Sequence, residues 1–117
     1  MKTELKNFDN ITYNTEVSIY TVSPDLVGKE VWLKELYIYE NNLPSVGQTY
    51  KTKYLAYIKD INNQVFYLTS MNNDLTFGSF DKLINCPIPL TVGDTIIVKK
   101  TPDSGNISVS VNINYED

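Results

Sequence analysis

The sequence predicts an all-β protein, an antiparallel β-sandwich that is jelly-roll-like and has seven or eight strands. Three observations carry this prediction: composition, regularly spaced turns, and an alternating C-terminal segment. Strand-forming Val, Ile, Thr and Tyr are abundant, with nine Tyr in 117 residues, whereas the helix former Ala occurs once, at Ala56. Gly, Pro and Asn recur at intervals of about 8–15 residues, which is typical of a sandwich.

The C-terminal segment GNISVSVNINYED alternates strictly between apolar and small polar residues. Such a period of two predicts a strand with one face in the core and one face in water. The apolar positions are Ile107, Val109, Val111, Ile113 and Tyr115, and the polar ones are Ser108, Ser110, Asn112 and Asn114. We therefore expect a core strand whose polar face is satisfied by solvent.

Two segments before the middle of the chain are also predicted to be strands. The first runs from Thr15 to Val22, followed by a turn at SPDLVGKE. The second, VWLKELYIYE, fits a helical stripe through Trp32, Leu33, Leu36 and Tyr37 as well as an alternation through Val31, Leu33, Tyr37 and Tyr39. We favour the strand, because Tyr-Ile-Tyr is strand chemistry and no capping residues bracket a helix.

Three Asn-Asn pairs, at 41–42, 62–63 and 72–73, predict turns between strands, since Asn tolerates a left-handed backbone. The middle pair lies between Tyr54–Ile58 and Val65–Leu68, which predicts a hairpin. Both faces of these two strands are apolar, so we expect them to be central and covered on both sides, or to form a subunit contact. Further along, Pro87 and Pro89 predict an edge strand or a strand start.

Size and charge limit the organisation and the partners. We expect a flexible polar arm over residues 1–12 and one sandwich domain over residues 13–117. The net charge is −4 and all ten basic residues are Lys, which argues against nucleic acid. The longest basic run, Lys99-Lys100, is expected to be a solvated strand end. No apolar run reaches the roughly 18 residues of a membrane span, so we expect no membrane partner.

The residues available for catalysis are few. The chain has no His and one Cys, Cys86, so it cannot form a Ser-His-Asp or Cys-His arrangement or a His-based zinc site. We expect Cys86 to be a buried small hydrophobe. The carboxylates fall mostly at turns or polar strand positions, where solvation explains them. We therefore expect no enzymatic activity, no cofactor and no metal.

Tyrosine is the most suggestive residue type, and six of the nine fall between residues 37 and 67. A Tyr ring can be buried while its hydroxyl stays wet, which suits protein interfaces and sugar-stacking platforms. Filling a half-buried pleat is an equally good explanation. The two explanations remain open at this stage.

Three segments of the sequence resemble the small all-β virion accessory proteins of tailed bacteriophages, namely head-decoration, head-fibre and tail-accessory modules. They are LKELYIYENN, the turn and strand VGDTIIV, and the closing strand from Ile107 to Tyr115. The resemblance covers about residues 30–117. It implies a non-enzymatic structural protein that binds a major capsid or tail protein, with a homotrimer as one assembly. It also implies a location on the outer surface of the virion after synthesis in the host cytoplasm.

We expect partner contacts at the N-terminal arm, at the single Trp and at the tyrosines of the middle third, which we expect to be exposed. These residues are Lys2, Leu5, Phe8, Trp32, Tyr37, Tyr39, Tyr50, Tyr54 and Tyr57. The alternative function is a carbohydrate-binding β-sandwich, in which Tyr faces and Asn or Asp side chains would contact the sugar.

Overall fold

The computed structural model describes residues 2–12, 15–40, 50–75, 81–85, 87–101 and 106–116, with the backbone alone at 40, 50–52, 71–75 and 81. In chain order the elements are β1 (Lys2–Phe8), β2 (Val17–Thr21), a 3₁₀ turn (Pro24–Leu26), β3 (Val31–Glu40), β4 (Tyr50–Lys59), β5 (Val65–Leu75), β6 (Asp81–Ile84), β7 (Ile88–Leu90), β8 (Thr95–Lys100) and β9 (Ile107–Tyr115). Among these residues there is no helix with the length and apolar character needed to cross a membrane.

The strands form two packed antiparallel sheets, which confirms the predicted all-β sandwich. One sheet has the order β1-β9-β3-β6, with β7 also paired to β3, and the other has the order β2-β8-β4-β5. The strands pair as they would in one long hairpin folded over on itself, which is the topology of a jelly roll. From the end of the hairpin outward, the pairs are β4 with β5, β3 with β6 and β7, β2 with β8, and β1 with β9. The described residues form nine strands rather than the expected seven or eight, because β6 and β7 share one edge of β3.

The core lies between the sheets and is built from the alternating positions of the central strands. On β9, the four residues Ile107, Val109, Val111 and Ile113 are fully buried, as their spacing predicts, and Tyr115 packs partly against the same core. The opposite sheet contributes residues such as Ile96 and Val98 of β8 and Ala56 of β4. Each fully buried aliphatic side chain of this kind stabilises the fold by about 1.5–3 kcal/mol.

A β-bulge in β3 explains why its sequence fits two periods. The register with β9 shifts between Leu33 and Glu35, which inserts one residue into the strand. Leu33 and Leu36 therefore both face the core although they are three positions apart, and both are fully buried. The strand prediction is confirmed, but Tyr37 and Tyr39 lie on the outer side, because the bulge reverses the alternation beyond it.

The predicted β4–β5 hairpin is confirmed. Its turn is fixed by Asp60, whose Oδ1 accepts hydrogen bonds from the backbone amides of Asn62 at 2.8 Å and Gln64 at 2.9 Å. Asn63 adopts a left-handed backbone, with φ of 63°, as Asn tolerates. The turn predicted at the Asn pair 72–73 is wrong, since β5 runs through it, and the pair at 41–42 lies outside the described residues, as does Cys86.

The expectation of a flexible arm is wrong for residues 2–8, which form β1 along the edge of β9. The segment looks like an arm in the sequence because Phe8 alone packs against the core, while most of its other side chains are exposed. The backbone ladder to β9 holds this strand in place, and a backbone ladder leaves no mark on side-chain hydrophobicity.

Two polar expectations are also corrected. The polar side of β9 is only partly in water: Ser108 is buried, and Asn112 Oδ1 is buried without a described hydrogen-bond partner. This follows from the central position of β9, whose neighbours on both sides cover its small side chains. Lys100 is buried rather than solvated, because it continues the inward side of β8 beside Tyr54.

Candidate interaction surfaces

Several of the predicted partner residues lie together on the outer side of the five-stranded sheet. Residues directly opposite one another on paired strands share a face. Leu5 of β1 is opposite Asn112, Trp32 of β3 is opposite Asn114, and Tyr37 and Tyr39 are opposite Ser110 and Ser108. Leu83 of β6 is opposite Tyr37 on the other edge of β3. We call Leu5, Trp32, Tyr37, Tyr39 and Leu83 the aromatic face.

Two rings of the aromatic face, those of Tyr37 and Tyr39, are packed against each other. The centroids of Tyr37 and Tyr39 are 5.1 Å apart and their planes differ by 23°, so that one side of each ring is covered by the other. Beside them, polar groups are paired across strands: Ser110 Oγ donates to Asn7 Oδ1 at 2.6 Å. The surface is thus a half-buried aromatic ridge, rather than a flat stacking platform, and the polar groups beside it are paired, as at Ser110, or buried, as at Asn112 Oδ1.

The remaining predicted partner residues are dispersed. Tyr54 and Tyr57 are buried, so the expectation that they are exposed is wrong. Phe8 packs partly against the core at the end of β1, whereas Lys2 is exposed at its beginning. The side chain of Tyr50 lies outside the described residues.

A second apolar surface was not among the predicted partner residues. It lies at the end of the β4–β5 hairpin and consists of Ile61, Val65, Phe66 and Tyr67, which are 75%, 42%, 63% and 67% exposed. We call these four residues the hairpin end. The signal was present in the sequence as a strand that is apolar on both faces, but a strand of that kind is expected to be central, and β5 lies at a sheet edge.

An open cleft of about 580 Å³ adjoins the hairpin end. Its apolar lining comes from Ile58, Val65 and Phe66 of one sheet and from Ile88 and Pro89 of the other. The carboxylates of Asp60 and Asp94 also line it. The volume falls within the range of about 300–1,000 Å³ that is usual for binding clefts.

The outer side of the four-stranded sheet holds an ion pair, Lys59 and Glu16, next to the Tyr57 hydroxyl. Lys59 Nζ lies 2.8 Å from Glu16 Oε2, and this ammonium lowers the pKa of the Glu16 carboxyl below its ordinary value of 4.5. Burial raises the pKa of the neighbouring Tyr57 hydroxyl above 10.0, and the Glu16 carboxylate adds to the effect. Because the pair is exposed to solvent, it contributes little to stability.

Replacing Lys59 by Met should raise the pKa of Glu16. In the unfolded chain Glu16 titrates near its ordinary value, so the lowered pKa in the fold adds stability above about pH 4.5, and this stability is lost as the pH falls through the folded-state pKa. The measurement is an NMR titration of the Glu16 carboxyl carbon in the wild-type chain and in Lys59→Met. Lys82→Met, an exposed change on β6, should leave the titration as it is. An identical midpoint in wild type and Lys59→Met would contradict the assignment.

The fold and these surfaces define the chain as a jelly-roll sandwich that has two apolar surfaces on its exterior. Within the described part of the chain, no three Cys, Asp or Glu side chains converge in a way that could hold a metal ion. In comparisons with known proteins, the chain matches no family model, no curated protein and no solved structure.

Proposed function

We propose that this chain is a non-enzymatic structural protein of a virion, which attaches by protein contact to a major capsid or tail protein. It acts as a capsid-decorating, head-fibre or tail-accessory protein on the outer surface of the particle, after synthesis in the host cytoplasm. The observation that carries the proposal is the hairpin end, where four large apolar side chains are exposed within seven consecutive residues, Phe66 on the inner side of the sheet and Val65 and Tyr67 on its outer side. Exposed apolar side chains clustered in this way mark contact sites.

Covering the hairpin end supplies part of the energy of a stable contact. Covering an exposed aliphatic or aromatic side chain contributes about 1–2 kcal/mol when roughly half of it is still accessible. Four such side chains contribute about 4–8 kcal/mol, against a cost of association of about 4–15 kcal/mol, so a stable contact also uses surface beyond the hairpin end. The Phe66 and Tyr67 rings are the natural anchors, because aromatic residues dominate the energetics of interfaces.

The fold and the charge support the virion assignment more weakly. Jelly rolls serve as viral capsid domains, although they also occur in lectins and cupins, so the fold alone is an analogy. The net charge of −4 would repel packaged DNA, which favours the outside of a shell over its interior. The resemblance of residues 30–117 to phage accessory modules points in the same direction.

The test is the abundance of the chain in particles purified from the cells that produce it. Quantitative mass spectrometry should find many copies per particle, in a fixed ratio to the shell or tail protein. Phe66→Ser should reduce that ratio while the variant remains folded. Leu83→Ser, a change of similar type at a 51% exposed residue outside the hairpin end, should not. A chain that is absent from particles and stays in the soluble fraction would refute the proposal.

A carbohydrate-binding module is the second candidate, and the aromatic face is the observation in its favour. Trp32 lies opposite Asn114, and Tyr37 and Tyr39 lie opposite Ser110 and Ser108, so aromatic rings stand beside small polar side chains, as a sugar site would require. The stacking of Tyr37 on Tyr39 reduces the ring surface that a sugar could cover. Binding on a glycan array that is lost in Trp32→Ala and Tyr37→Ala would transfer the function to this candidate.

A further inference from the structure

One row of side chains across the inner side of the four-stranded sheet is incomplete at β5. Tyr20, Ile96, Ile58 and Phe66 lie opposite one another on β2, β8, β4 and β5. The first three are 5%, 0% and 7% exposed, but Phe66 is 63% exposed. Phe66 therefore points to the core side of the sheet like the other three residues, but the facing sheet does not cover it.

At the opposite end of the same row, side chains of β1 cover the Tyr20 ring. The ammonium of Lys6 lies 5.5 Å from the centroid of the Tyr20 ring and 3.8 Å from the carboxylate of Glu4. These β1 side chains close that side of the sandwich. On the β5 side, the facing strand β7 has three residues, and its Ile88 and Pro89 leave the cleft open over Phe66.

The backbone edge beside the cleft belongs to β5 and is the longest of the described sheet edges. Proteins blunt exposed sheet edges with Lys, Pro, bulges or short strands. On three of the four edges, Lys residues or short length serve this purpose: β1 carries Lys2 and Lys6, β2 is five residues long, and β6 and β7 are four and three residues long. β5 has one bulge, at Leu68, but it is 11 residues long, its sequence contains neither Lys nor Pro, and no described strand pairs with its outer edge.

The negative charge of the cleft favours a positively charged ligand. Asp60 and Asp94 line it, and no Lys is among the described residues that do. One oxygen of each carboxylate is used within its own turn: Asp60 Oδ1 accepts from the Gln64 amide at 2.9 Å, and Asp94 Oδ2 accepts from the Thr91 amide at 2.9 Å. The second oxygen of each can receive a cation, so an apolar group that carries a positive charge fits this cleft.

We propose that an extended segment of a partner protein adds to the outer edge of β5 as a further strand. One apolar side chain of the segment covers Phe66 in the cleft, and a Lys or Arg of the segment lies against Asp60 and Asp94. In strand addition of this type, main-chain hydrogen bonds provide affinity and pockets for alternate side chains provide specificity. The inference rests on the proposed function in that both require a protein partner, and it specifies the partner's chemistry.

The experiment is a selection from an mRNA-displayed library of random peptides of about ten residues, the length of a long strand, against the full chain. Enriched peptides should alternate apolar residues with polar ones and carry a Lys or Arg at a fixed spacing from one apolar position. Binding should weaken by about tenfold or more in Phe66→Ser and remain unchanged in Leu83→Ser. Bound peptide should also slow amide hydrogen exchange along β5.

The charge is tested separately with Asp60→Asn and Asp94→Asn. Asn keeps an oxygen that can accept the backbone hydrogen bonds of each turn, so the fold is preserved while the charge is removed. The double variant should weaken the selected peptides and should also reduce the dependence of their affinity on salt. Equal affinity in the wild-type chain and the double variant would refute the proposed role of the two carboxylates.

Three other outcomes would overturn the proposal: no enriched peptide, enriched peptides whose binding is unaffected by Phe66→Ser, or a concentration-dependent dimer that Phe66→Ser abolishes. The dimer would mean that a second copy of the chain occupies the edge. The two proposals fail separately. If particle attachment survives Phe66→Ser but is lost in Trp32→Ser, the virion function stands and the strand addition at β5 fails. If the chain binds the selected peptides but is absent from particles, the strand addition stands and the virion function fails.

Discussion

Deletion of residues 107–117 should yield a chain that does not fold. It removes four fully buried side chains of β9, worth about 1.5–3 kcal/mol each, which together match the roughly 5–15 kcal/mol total stability of a typical domain. It also removes the strand that lies between β1 and β3, so both lose backbone hydrogen bonds. Far-UV circular dichroism of the purified fragment should show a disordered chain, and limited proteolysis should degrade it completely.

The matched control ends the chain after Tyr115. This change removes the hydrogen bond from the Glu116 amide to the Glu30 carbonyl at 3.0 Å and the one from the Glu30 amide to Glu116 Oε1 at 2.5 Å. All of β9 remains, so the shorter chain should fold with a loss of about 1–3 kcal/mol. A cooperative unfolding transition in the chain that lacks residues 107–117 would contradict the central position of β9.

The closing strand also shows how much of the fold can be predicted from the sequence. The alternation from Ile107 to Tyr115 is a direct consequence of a strand with one buried face, and the structure buries the first four of its five apolar residues. The hairpin around Asp60 and Asn63 could be predicted for a similar reason, because turn chemistry is local. Both features depend only on residues that are near one another in the chain.

Features that depend on strand order could not be predicted. β1 is held by its backbone ladder to β9, and pairing of that kind leaves no hydrophobic pattern in its own sequence. The apolar faces of β5 predict a central strand, but whether a strand lies at an edge is decided by the whole topology. For this reason the sequence favours the tyrosines as contact residues and does not single out Phe66 and its neighbours.

The contact surfaces also depend on strand order, so residue type alone does not locate them. Composition identifies Tyr as the residue type suited to interfaces, yet Tyr54 and Tyr57 are buried and Tyr37 is stacked on Tyr39. The exposed anchors at the hairpin end become visible only when the register places Phe66 at the uncovered end of a core row. A partner that completes the row would bury a residue that already faces the core, so little rearrangement of the chain is required.

Replacing Leu36 by Ala should be among the most destabilising single substitutions in this chain, and it tests the β3 bulge directly. Leu36 is fully buried, and the loss of a buried Leu side chain costs about 2–5 kcal/mol, because a cavity remains. An unbroken alternation from Val31 would instead point Tyr37 and Tyr39 into the core and Leu36 outward. With the bulge, Tyr37→Ala removes a half-exposed ring and its stacking, at a cost of about 1 kcal/mol.

Urea denaturation of wild type, Leu36→Ala and Tyr37→Ala measures this order. Leu5→Ala is the control for the residue type, since Leu5 is 67% exposed on β1 of the same sheet and should change the free energy of unfolding by about 0.5 kcal/mol or less. If Tyr37→Ala costs more than Leu36→Ala, β3 has no bulge, and its aromatic residues belong to the core. In that case the aromatic face would not exist, and the sugar-binding function would lose its main support.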